Sequence, residues 1–147
     1  MTLRPTLFAL GVLAVTAGTV VAQDWQSQLQ TQTQIKSGAS FANLSARGYS
    51  LMDVARTSLL NASASESVSI TLPAGREYLL MGVCDNDCLD LDLAVSSGGI
   101  ELAADTTTDD WPLLEVPPTG SSSYSVNVTM YNCSTPNCGY QLTVWRK

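Results

Sequence analysis

Ten consecutive residues, Cys84-Asp85-Asn86-Asp87-Cys88-Leu89-Asp90-Leu91-Asp92-Leu93, carry four carboxylates and two thiols. Carboxylates at this density suit a hard cation. Calcium takes about six to eight oxygens at about 2.4 Å, and Asp85, Asp87, Asp90 and Asp92 are candidate ligands, with Asp105, Asp109 and Asp110 from a later acidic stretch available to complete the shell. Asp90 and Asp92 stand two apart, so on a strand their side chains leave one face about 7 Å apart. Two charges at that distance repel by about 0.6 kcal/mol in water and about 2.4 kcal/mol at an effective dielectric of about 20, so half-burial would call for a partner. The competing reading is a solvated acidic face with turn-forming Asp and Asn. An EF-hand is excluded, because Asp90 replaces the glycine its loop requires and no helices flank the segment.

Catalysis has little to draw on. Histidine is absent, which removes the common Ser-His and Cys-His nucleophile pairs. A carboxylate pair such as Asp92 with Asp110 is the one route to a small secreted hydrolase, by glycoside chemistry, but a single small sandwich offers no evident cleft for it. The chain therefore reads as a non-catalytic module. Trp111, between Asp110 and Pro112, is a candidate binding residue that would stack on a sugar or a partner surface. Its alternative role is to close one end of a core.

The elements that must position these residues begin with the export signal. Arg4, the apolar stretch Leu7 to Val21 and the compact Val20-Val21-Ala22 form a signal peptide over residues 1–22, too short and too interrupted for a membrane span of about twenty apolar residues. The exported chain keeps 125 residues, enough for one domain, and losing Arg4 takes its charge from −6 to −7. An acidic chain repels nucleic acid and anionic lipid. Nine of the thirteen acids fall between Asp85 and Glu115, so the charge is local.

Four cysteines behind an export signal read as disulfides. Three pairings are open; Cys84 with Cys88 and Cys133 with Cys138 are favoured because each pair brackets a short polar loop beside a strand. Rings this small contribute about 2 kcal/mol each in the loop-entropy estimate, so they shape loops more than they hold a fold. A four-cysteine zinc knuckle is the rival.

Residues 23–48 form a polar, glutamine-rich arm, either extended or one short helix placing Trp25 and Leu29 on one face. Residues 49–147 form the domain. Val68 to Leu72 alternates as a half-exposed strand, and Glu77 to Val83 is a nearly continuous apolar run suited to a central one. Leu89, Leu91, Leu93 and Val95 share a face opposite Asp90 and Asp92. Ile100 to Ala104 and Leu113 to Val116 follow as short strands. Tyr124 to Met130 and Gly139 to Trp145 alternate strictly, and read as a hairpin with Cys133 and Cys138 at its neck. Seven or eight short strands without a long helix predict an all-β fold: a two-layer antiparallel β-sandwich, jelly-roll-like, with an N-terminal polar arm or short helix.

The order Gly82-Val83-Cys84 to Leu93, then Ala104-Asp105, Asp109-Asp110-Trp111-Pro112, Tyr124-Ser125-Val126 and Cys133 to Tyr140 resembles the bacterial pre-peptidase C-terminal domain and its free-standing relatives, over roughly Gly48 to Lys147. That resemblance implies a small exported β-sandwich, often accessory to secreted hydrolases, with calcium bound in some relatives. No enzyme precedes the domain here, a departure from the family's usual setting. The expectation is a secreted or periplasmic accessory module that binds a protein or polysaccharide of the envelope or extracellular space, with calcium as a candidate ligand. A carbohydrate- or matrix-binding module is the alternative.

Overall fold

The computed structural model describes residues 24–117, 119 and 122–147; the expected signal peptide at residues 1–22 lies outside them. The chain runs through α1 (Asp24–Ser37), β1 (Ser50–Asn61), β2 (Ser65–Thr71), β3 (Tyr78–Cys84), β4 (Cys88–Ser97), β5 (Ile100–Asp105), β6 (Leu113–Val116), β7 (Ser123–Cys133) and β8 (Asn137–Arg146). The strands form two antiparallel sheets, ordered β1-β8-β3-β6 and β2-β7-β4-β5. This is a jelly roll, in which successive strands cross from one sheet to the other. Among the described residues only β4 and β5 make a hairpin, at a turn where Gly98 and Gly99 both hold positive φ, 60° and 82°. No helix among the described residues is long and apolar enough to cross a membrane.

Two layers of apolar packing result. Leu80, Leu91, Leu93, Val95, Val126, Val128, Met130, Tyr140 and Leu142 fill the space between the sheets. The second layer lies on the outer face of the β1-β8-β3-β6 sheet, where Leu29 of α1 packs with Leu44, Leu79, Met81, Val83 and Trp145. β3 is buried along its whole length because alternate residues serve the two layers. Its continuous apolar run follows from that double duty.

The glutamine-rich segment is a helix, although its polar composition leaves it little apolar face. It docks through polar contacts as well. Thr33 donates to Gln141 Oε1 at 2.8 Å, and Gln141 Nε2 donates to Thr57 at 3.2 Å, a ladder from helix to central strand to edge strand. The last carbonyls of α1 are taken by the chain folding back, with Ala42 N on Lys36 O and Leu44 N on Ser37 O.

Two expectations are corrected. Tyr124 to Met130 and Gly139 to Trp145 do not pair as a hairpin: β7 lies between β2 and β4, and β8 between β1 and β3. Alternation marks a strand with one buried face, and both are central strands of different sheets. Leu89 does not join Leu91 and Leu93 inside; it is 53% exposed. The β4–β7 register slips by one residue at Leu89 and again at Tyr131, so opposed bulges turn both side chains outward. β1 escapes sequence reading for a related reason. It is a largely exposed edge strand with two register shifts, so no period of two survives.

Edge strands β1 and β2 are tied across the open side of the sandwich by Arg56, Glu66 and Tyr140. The fully buried Tyr140 donates its hydroxyl to Glu66 Oε2 at 2.6 Å, and Glu66 pairs with Arg56. Burial, then the neighbouring Glu66, pushes the Tyr140 hydroxyl well above its ordinary range, so it stays a donor. Tyr140→Phe should therefore cost about 1.5–3 kcal/mol, the worth of a hydrogen bond to a charged group. The check is a lower urea midpoint at unchanged slope.

Candidate functional site

Both disulfides form as the sequence favours, Cys84 to Cys88 and Cys133 to Cys138, with Cα separations of 5.9 and 6.1 Å. All four thiols are consumed, which removes the zinc alternative. The two rings are neighbours, since Cys88 lies opposite Cys133 across the β4–β7 ladder. They are also bonded to each other: Ser134 donates its amide and its hydroxyl to Asp87 O, each at 2.8 Å.

Beside these loops lies a cleft of about 330 Å³. Asp85 and Asp87 come from the first ring and Thr135 and Asn137 from the second. Trp25 and Gln28 of α1 and Leu59 of β1 complete the wall. The helix is clamped to the first ring by Gln28, which accepts from Asn86 N at 3.1 Å, and by Gln32, which donates to the Asn86 side chain at 3.2 Å.

Asp85 is the buried acid of this cleft, 6% exposed. Its Oδ2 accepts from Gly139 N at 2.6 Å, and its own amide donates to Gly139 O at 3.0 Å. Its Oδ1 is buried without a hydrogen-bond partner. Burial pushes this carboxyl above its ordinary range, although the amides of Gly139, Asp87 and Cys88 oppose the shift. Gly139 has no substitute here. A Cβ at that position would stand 2.4 Å from Trp25 Cε3 and 3.1 Å from Asp85 Oδ2.

A second group of acids gathers where the β5–β6 connection crosses β4, held by the Leu91 amide on Asp109 O at 2.9 Å. Asp105 accepts from Leu113 N at 2.8 Å, from Thr107 N at 3.2 Å and from the Thr107 hydroxyl at 2.7 Å. The same hydroxyl stands 2.9 Å from Asp109 Oδ2, with one hydrogen to share between two carboxylates. Asp109 Oδ1 accepts from Trp111 N at 2.9 Å. Asp90 is 6% exposed, and its Oδ1 has no partner. Burial pushes Asp90 upward, against the Asp109 amide and with only a smaller push from the Asp109 charge; burial pushes Asp92 upward too, helped by Asp90, Asp105 and Asp109. Burial works against Asp105 as well, but the Leu113 and Thr107 bonds outweigh it and hold this acid below its ordinary range.

The seven acids singled out in the sequence thus serve three places. Asp85 and Asp87 line the cleft, and Asp90, Asp92, Asp105 and Asp109 share one field at the crossing. Asp110 instead accepts from Lys36 at 2.9 Å, holding the far end of α1. No three of them converge, among the described residues, as a ready metal site. Trp111 is half-buried against the outer apolar layer. Its ring meets the Phe41 ring edge-on at 5.6 Å, and Lys36 Nζ lies 5.4 Å from it.

The sequence reading missed Trp25, Gln28, Leu59, Thr135 and Asn137 as site residues. One local signal was present: a lone glycine within a strand pattern, here Gly139, marks a close backbone approach. No protein-family model and no curated protein matches the sequence. Among solved structures the chain is similar to PliG of Aeromonas hydrophila, a periplasmic inhibitor of g-type lysozyme, at 11% identity and a TM-score of 0.44, over 67% of this chain and 86% of that one. It is also similar to TmCBM61, solved in complex with β-1,4-galactotriose, at 19% identity and a TM-score of 0.38, over 60% and 69%.

The acids at the crossing set the pH response. Asp90 and Asp92 hold protons more tightly folded than unfolded, so their stabilising contribution is full below the ordinary aspartate value of 3.8 and is lost as pH rises through their raised values. Asp105 runs the other way, contributing above 3.8 and losing that contribution as pH falls through its lowered value. Asp90→Asn removes a buried charge at neutral pH. It should melt higher than wild type at about pH 7, with the gain fading towards about pH 3, where wild-type Asp90 is protonated as well.

Proposed function

We propose that this chain is an exported, non-catalytic β-sandwich module that binds a protein or polysaccharide partner in the cleft between α1 and the two stapled loops. One observation carries this reading: both disulfides bracket loops whose side chains line the same cleft. Such short rings add about 2 kcal/mol each to the fold, so their larger effect is to fix loop geometry. A fixed wall lowers the ordering cost of association. The absence of histidine from the sequence and the consumption of every thiol in a disulfide fit a module without nucleophilic chemistry. Disulfides are kept in oxidising compartments, which agrees with export to the periplasm or beyond. The resemblance to pre-peptidase C-terminal domains supports the same accessory role.

Asp87→Lys and Asn137→Ala change exposed cleft positions, whereas Ile100→Ser changes an exposed residue at the start of β5, paired with Ser97 at the end of β4 away from the cleft. Against a panel of envelope polysaccharides and purified secreted proteins, calorimetry should find a ligand whose affinity falls about tenfold or more with the cleft variants, on the scale of close polar contacts. The Ile100 variant should leave it unchanged. A ligand indifferent to both cleft changes would contradict the cleft.

A second reading, calcium at the crossing, is favoured by Asp90 Oδ1, buried without a donor beside three further carboxylates. The oxygen-only donor set suits calcium, but Asp92, Asp105 or Asp109 would have to close in on the ion. Calcium at about a hundred times its dissociation constant should stabilise by about 2.7 kcal/mol, and Asp90→Asn should abolish the gain. Equal melting with calcium and with chelator removes this reading and leaves the cleft untouched.

A further inference from the structure

We infer that β1 joins this protein to a second copy of itself, pairing antiparallel across a two-fold axis at Val54 so that two four-stranded sheets become one. The contact lies outside the cleft and does not rest on it. β1 is the longest strand among the described residues, twelve residues, and it pairs with β8 along one side only. Its other side presents an open row of backbone donors and acceptors, the template on which another strand adds. Among the described residues nine large apolar side chains are exposed, and four of them, Leu51, Met52, Val54 and Leu59, sit on β1. The other edges are shorter, seven residues in β2, six in β5 and four in β6. Of these only β5 carries an exposed large apolar residue, Ile100.

The charges on β1 select a second copy as the occupant. Against β8 as a ruler, Leu51, Asp53, Val54, Arg56 and Thr57 face Trp145, Val144, Thr143, Leu142 and Gln141, five consecutive positions with Val54 at the centre. The bulged residues, Met52 and Ala55, fall one on each side of Val54, so two antiparallel copies stay in step about it. Faces alternate along these positions: Leu51, Val54 and Thr57 share the outer face with Trp145, and Asp53 and Arg56 share the inner one. The two-fold sets Val54 against the partner's Val54, Leu51 against the partner's Thr57 and Asp53 against the partner's Arg56. Moving the axis one position either way sets Asp53 against the partner's Asp53, or Arg56 against the partner's Arg56, and like charges directly opposite destabilise a strand pair. A slip of one residue sets outer side chains against inner ones. No ion pair among the described residues reaches Asp53. Beside it a cleft of about 240 Å³ between β1 and β2, walled by Ala55, Ile70 and Leu72, gives the incoming guanidinium room. Arg56 already meets Glu66, but a guanidinium has five N–H donors and can serve both acids.

The test is sedimentation velocity of the intact, oxidised protein from about 1 μM to about 1 mM, beside amide hydrogen exchange at both ends of that range. A monomer–dimer equilibrium should appear, with slower exchange at the dimeric end for amides between Ser50 and Ser58 and no change in β5. Val54→Lys sets two ammonium groups together at the axis, and Asp53→Lys turns each attraction into repulsion; each should weaken dimerisation about tenfold or more. Both positions are exposed, so each variant should keep the wild-type melting temperature at low concentration. Added salt should recover part of the Asp53→Lys loss by screening the repulsion. Ile100→Ser, on the β5 edge, should dimerise as wild type does. A wild type still monomeric at about 1 mM overturns the proposal. So does a dimer that either β1 variant keeps at full strength, a dimer lost with Ile100→Ser, or growth beyond the dimer, which a closed two-fold contact does not permit.

Discussion

The organisation of this molecule depends on one bare backbone position. Gly139 lies on the central strand β8, where it exchanges two hydrogen bonds with Asp85, from its amide to Oδ2 and from the Asp85 amide to its carbonyl. Because it has no side chain, Trp25 can lie against it, and that contact sets how closely α1 approaches the sheet. From there the helix follows the strand through Leu29 and the Thr33–Gln141–Thr57 ladder, and Lys36 on Asp110 fixes its other end. A weakly amphipathic, glutamine-rich helix would not hold itself alone in water. It holds here because one glycine admits an indole and a buried carboxylate together.

That arrangement also explains how the acids are distributed. Asp110 anchors the helix, and Asp105 organises the β5–β6 crossing by accepting three hydrogen bonds. These are structural duties with full partners. Asp85 and Asp90 are different, since each keeps one buried oxygen without a donor. Such atoms cost stability in the isolated chain. Asp85 bears that cost at a cleft walled by both stapled loops, and Asp90 bears it beside the acids of the crossing, where burial above all keeps its own carboxyl and that of Asp92 protonated to higher pH.

Much of this could be read in the residues alone, and what could not has a physical reason. The strands with one buried face, such as Tyr124 to Met130, announce themselves by alternation, and β3 by an apolar run that serves two layers. The residues leave three disulfide pairings open, and the one they favour, because each pair closes a short polar loop, is the one that forms. Strand β1 is an exposed edge with two bulges and carries no period, and the bulge at Leu89 reverses a face that alternation alone assigns inward. Which acids meet is a matter of topology: Asp90 and Asp109 are nineteen positions apart in sequence and joined only because the β5–β6 connection crosses β4. The cleft draws on α1, β1 and two loops from distant parts of the chain, so no local pattern contained it except the glycine at 139.

The most direct measurement is the titration of the Asp85 carboxyl carbon by carbon-13 NMR, followed together with the Gly139 amide proton. A carboxylate held in burial against Gly139 should titrate with a midpoint above the ordinary 3.8, and the Gly139 amide should shift with the same midpoint as its hydrogen bond weakens. A midpoint at the ordinary value, with a Gly139 amide that does not respond, would mean that Asp85 is solvated and that the bond on which the cleft and the helix depend is not formed.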